Sequence, residues 1–89
     1  MNIYSITGVD KDRTRLLGLF FELEKAQNVV LLNPRAIFEH RNYLVVIEKL
    51  SEGLNGLTED AWWYKWENDR YVQCETPQEY KYTTNFAMG

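Results

Sequence analysis

The chain has 89 residues and a formal net charge of -3, with 10 Lys and Arg against 13 Asp and Glu, one His and one Cys. One Cys excludes an internal disulfide, and one Cys with one His falls short of the ligands a Cys/His zinc centre needs; the length suits a single domain, 1–89, with little volume for a deep cleft. The longest unbroken aliphatic stretches are four residues, as at 29–32 and 44–47, too short for a membrane-spanning helix.

The N-terminal segment lacks the basic start and apolar core of a secretory signal, so the expected location is cytoplasmic. Residues 1–40 carry five basic and five acidic side chains, and residues 41–89 carry five and eight. That balance lacks the basic footprint needed for duplex nucleic acid, and the acidic excess reads as a solvated face.

Met1 to Thr7 is a short predicted strand, with Ile3, Tyr4 and Ile6 as its apolar members. Asp10 to Asn28 reads as a long amphipathic helix. Asp10 or Asp12 would cap it, and Leu16, Leu19, Phe20, Leu23 and Ala26 recur at helical spacing. Its wide apolar stripe needs a cover, either a sheet or a second helix. A symmetric homodimer would cover any part left open.

Val29 to Leu57 supports two readings. One is a pair of strands, Val29–Leu32 and Tyr43–Glu48, favoured by the β-branched Val45, Val46 and Ile47. The other, preferred, is a second helix. Asn33 would cap it, Pro34 would open it, and Gly53 or Gly56 would stop it. Ala36, His40, Tyr43, Ile47, Leu50 and Leu54 would form its stripe.

Trp62 to Glu75 reads as a β-hairpin around Asn68-Asp69. Its register sets Glu67 opposite Arg70, Trp66 opposite Tyr71 and Tyr64 opposite Gln73. One face then holds Trp62, Tyr64, Trp66 and Tyr71, and the other holds Trp63, Lys65, Val72 and Cys74. Thr76-Pro77-Gln78-Glu79 has the form of a capping box, so a short helix from Pro77 to about Thr84 is predicted, with a strand as the competing reading. The expected fold class is α+β: a long amphipathic helix plus a second helix or strand pair, packed on a small antiparallel sheet containing hairpin 62–75.

No residue set carries an obvious catalytic chemistry. Cys74 and His40 are the only nucleophile and base pair of note, and neither sits in a local motif; the simpler readings are a buried structural thiol and a hydrogen-bonded histidine. The carboxylate pairs Asp10/Asp12 and Glu59/Asp60 lie beside turns or helix starts, where they cap backbone N–H groups. The glycines match no phosphate-cradle spacing. No cofactor is expected.

The aromatic residues carry the strongest signal. Trp62, Trp63, Tyr64, Trp66, Tyr71, Tyr80, Tyr82 and Phe86 crowd into positions 62–86. Because they alternate across a hairpin, both faces receive large rings, and some rings are expected to stay partly exposed; the competing reading is that all of them serve a small aromatic-rich core. Exposed Trp and Tyr beside charge make a protein-binding surface, here Trp63, Lys65, Glu67, Arg70 and Tyr80. The expected function is a small non-enzymatic module, a regulator or inhibitor that binds a larger protein. The alternatives are a single-stranded nucleic-acid binder that stacks bases on these rings, or a small enzyme using Cys74 or a carboxylate.

Overall fold

The computed structural model describes residues 2–10, 13–32, 43–50, 58–80 and 86. They form five strands and one helix: β1 (Ile3–Asp10), β2 (Arg13–Phe20), α1 (Leu23–Leu32), β3 (Leu44–Leu50), β4 (Thr58–Glu67) and β5 (Arg70–Cys74), followed by a single 3-10 turn at Gln78–Tyr80. The strands make one antiparallel sheet in the order β2-β1-β3-β4-β5. α1 packs across it, touching β1, β2, β3 and β5. The class is therefore α+β, with the hairpin at one margin of the sheet.

β3 lies at the centre. Val45 and Ile47 point to the helix-covered face, Val46, Glu48 and Leu50 to the outer face, and all five are buried. A strand covered on both sides reads as a continuous apolar run. That is why Val45, Val46 and Ile47 form a strand here and not the middle of the preferred second helix. The strand alternative at Tyr43–Glu48 matches β3 closely, whereas its partner segment, Val29–Leu32, closes α1. The remainder of the proposed second helix, at 33–42 and 51–57, lies outside the described residues, and His40 with it.

The expected helix Asp10–Asn28 is corrected. Its first part is the end of β1 and all of β2, and the helix begins only at Leu23. β2 also contains a bulge. Ile6 pairs with Gly18 while the next residue, Thr7, pairs with Leu16, so Leu17 is an extra residue in β2. Gly18 suits this site, because a Cβ there would stand 3.1 Å from the Phe20 ring. The expected strand Met1–Thr7 extends as far as Asp10. The expected C-terminal helix begins as the turn Gln78–Tyr80, and positions 81–85 lie outside the described residues.

On the helix-covered face, Ala26 and Val30 of α1 meet Ile6, Val45, Ile47, Tyr64 and Tyr71, with Tyr4, Leu17, Phe20, Leu23, Val29, Trp62 and Trp66 around them. Each fully buried Val or Ile contributes roughly 1.5–3 kcal/mol. On the outer face a second cluster joins Val9, Val46, Trp63 and Phe86, flanked by Leu44, Ala61, Cys74 and Tyr80. Among the described residues, no helix is long and apolar enough to cross a membrane.

Candidate functional site

The β4–β5 hairpin follows the register expected from sequence: Glu67 opposite Arg70, Trp66 opposite Tyr71, and Tyr64 opposite Gln73. Asn68 and Asp69 both adopt positive φ, 53° and 63°. That is the backbone of a type I′ turn, whose twist matches the strands it joins. Asn and Asp tolerate this conformation better than other residues with a Cβ. The turn thereby fixes which side chains share a face.

Trp63, Lys65, Glu67 and Arg70 all lie on the outer face, and Tyr80 stacks over Trp63 with ring centroids 5.6 Å apart and planes 12° from parallel. Phe86 meets Trp63 edge-on at 5.2 Å and Tyr80 at 5.6 Å. The backbone N–H of Phe86 donates to Glu48 Oε1 at 2.8 Å in the buried interior. Phe86 is thus held by both a ring pocket and a carboxyl group.

All five proposed contact residues gather on this one surface, but they do not share one environment. Lys65, Glu67 and Arg70 are exposed, Tyr80 is half-buried, and Trp63 is only 3% exposed. The expected exposure of Trp63 is therefore corrected, while Trp62, Trp66 and Tyr80 remain partly exposed. α1 covers Tyr64 and Tyr71 on one side, and the Tyr80–Phe86 pair closes over Trp63 on the other. Trp63 is a platform beneath the surface and not a contact on it.

Above that platform runs a charged ridge. Lys65 Nζ stands 3.3 Å from Glu67 Oε2, two residues along the same strand face. Arg70, across the ladder from Glu67, makes no ion pair among the described residues. Val72 and Cys74 continue the strip as partly buried apolar positions. Burial pushes the Cys74 thiol up, and the Lys65 ammonium only partly offsets this. A thiol so shifted is a poor nucleophile at neutral pH.

Two features escaped the sequence reading. The first is Glu48, 1% exposed, whose anchoring role for Phe86 leaves no local signature in VVIEKL. The second is a set of exposed apolar side chains: Leu16 and Leu19 on β2, Phe21 just after it, Leu31 and Leu32 at the end of α1, and Tyr43 beside β4. The run LLGLFF was visible, but a helical reading assigned it to an interior. Among the described residues, no group of three or more His, Cys, Asp or Glu is placed to hold a metal ion. Comparison with protein-family models, with curated proteins and with solved structures found no match for this chain.

Proposed function

We propose that this chain is a small non-enzymatic interaction module of the cytoplasm, a regulator or inhibitor that binds a larger protein through the outer face of the β4–β5 hairpin. One observation carries the reading: Lys65, Glu67, Arg70 and Tyr80 form a charged and aromatic strip on a face held rigid by the buried Trp63. A rigid strip loses little conformational entropy on binding, and Arg and Tyr are the residue types that dominate binding surfaces. The exposed Arg70 guanidinium suits a carboxylate on the partner, to which it can donate two parallel hydrogen bonds. Stacking of nucleic-acid bases finds less support, because one face of Trp63 is already covered by Tyr80.

The test must spare Trp63, since truncating a buried Trp costs about 3–5 kcal/mol and would confuse folding with binding. Charge removal at two exposed sites, Lys65→Gln with Arg70→Gln, sets no like charge against Glu67 and should change stability by no more than about 0.5 kcal/mol per site. Tagged wild-type and variant chains are compared for the proteins each captures. The reading stands if a binder held by the wild type is lost by an equally folded variant. Identical captured sets would remove the hairpin face from the proposal.

A further inference from the structure

Among the described residues, β2 is the outermost strand of the sheet, next to β1 alone. Leu16 and Leu19 are 46% and 58% exposed, and Phe21, just beyond the strand, is 68% exposed. Thr14, also exposed, shares the outer face with the two leucines, because these three pair with Val9, Thr7 and Ser5 of β1. A long edge strand with exposed leucines is a template for another strand.

The bulge determines which strand fits. Along an antiparallel ladder, backbone N–H and C=O groups point alternately toward the partner and away from it. The Asp10–Arg13 pair spans a two-residue connection, which makes it a hydrogen-bonded pair. Counting on from it, the groups of Thr14, Leu16 and, past the bulge, Leu19 point away from β1. A regular strand offers such groups every second residue. Here Leu16 and Leu19 are three apart, because Leu17 is extra. A regular strand laid alongside would fall out of step at this point, which is how bulges ordinarily guard an edge.

A strand with the same interruption stays in step. When a second β2 runs antiparallel to the first, Leu16 of each copy faces Leu19 of the other, and Leu17 faces Gly18. The same register sets Arg15 of one copy opposite Phe20 of the other, so no like charges face each other there. We propose that the β2 edge is a homodimer interface: two copies join antiparallel through β2, with the bulges in register, to make one continuous ten-stranded sheet. The four leucines then close into one patch on the outer face. The contact is two-fold and self-limiting, so it ends at a dimer. It makes no use of the hairpin face.

Light scattering on the full chain across a wide concentration range should show the mass doubling as concentration rises. Leu19→Pro removes an outward N–H that β1 does not use, so a chain that keeps its circular dichroism spectrum should lose the dimer. Cysteine cross-linking reads the register directly. In a Cys74→Ala background, Leu16→Cys and Leu19→Cys chains should form a disulfide-linked dimer when mixed, and far less of it when oxidised separately. Directly opposed hydrogen-bonded residues sit about 5.5 Å apart at Cα, within disulfide reach. A chain that stays monomeric at every concentration would overturn the proposal. So would a dimer that survives in folded Leu19→Pro, or a Leu16→Cys chain that cross-links alone as readily as the mixture does.

Discussion

Among the described residues, the outer face of the sheet carries three buried polar side chains whose circumstances differ. Glu48 accepts a hydrogen bond from the Phe86 N–H, so its burial is compensated. Ser5 and Thr7, on β1, have buried hydroxyls with no hydrogen-bond partner. A buried donor or acceptor left unmade costs about 1–3 kcal/mol, whereas an apolar replacement of the same shape avoids that cost. Two substitutions on one face should therefore move stability in opposite directions. Glu48→Ala should destabilise by about 1–3 kcal/mol, because it strands the Phe86 N–H and loosens the ring pocket around Trp63. Thr7→Val, which keeps the shape and removes the orphan hydroxyl, should stabilise by about 1 kcal/mol. Urea denaturation followed by Trp fluorescence measures both. A loss in Thr7→Val would mean that its hydroxyl has a partner after all.

Among the elements, the hairpin is the one most nearly dictated by local sequence. Both residues of its turn sit at positive φ, and glycine at the second of them would relieve the steric cost of a Cβ there. Asp69→Gly should thus raise stability by up to about 1 kcal/mol, and Asp69→Val should lower it by a similar amount. The denaturation midpoint should move while the slope stays fixed. The same local logic made this element legible in advance. Asn68-Asp69 sets the turn, the turn sets the register, and the alternation of Trp63 and Tyr64 then assigns rings to faces. β2 shows why other elements were not legible. Its bulge places Leu16 and Leu19 on one strand face three residues apart, which imitates the helical repeat. The genuine helix then continues the pattern through Leu23, Ala26 and Val30, so one helical spacing runs unbroken across the strand-to-helix boundary at residues 21 and 22. In β3, burial on both faces removes the alternation that would mark a strand, and only the β-branched residues remain as a clue. For the candidate site, the hairpin register put Trp63 and Lys65 on one face and Glu67 opposite Arg70, but it did not say which face is buried, nor that Tyr80 and Phe86 close over Trp63, since that contact joins segments distant in sequence.

At the scale of the whole molecule, the two faces of the sheet are covered by different means. A helix of ten residues spans one side, and an aromatic cluster built around Trp63 closes the other. The helix side concentrates two buried tyrosines, Tyr64 and Tyr71. Burial pushes both phenols above tyrosine's ordinary 10.0, and at Tyr64 the hydrogen bond with Gln27 only partly reverses this. An acid whose pKa is higher in the fold than in the unfolded chain stabilises the fold while it stays protonated in both states. As pH climbs past the unfolded value, the unfolded chain loses protons that the fold retains, and stability declines. The molecule should therefore keep its full tyrosine contribution below pH 10.0 and lose stability progressively above it. Tyr71→Phe keeps the ring in the Ala26–Val30–Tyr64 core and removes one titrating phenol, so its alkaline decline should be shallower than that of the wild type. Thermal unfolding followed across alkaline pH distinguishes the outcomes: parallel declines in the two chains would show that Tyr71 is not the group being titrated, because the helix-side core would then be admitting water before its phenol ionised.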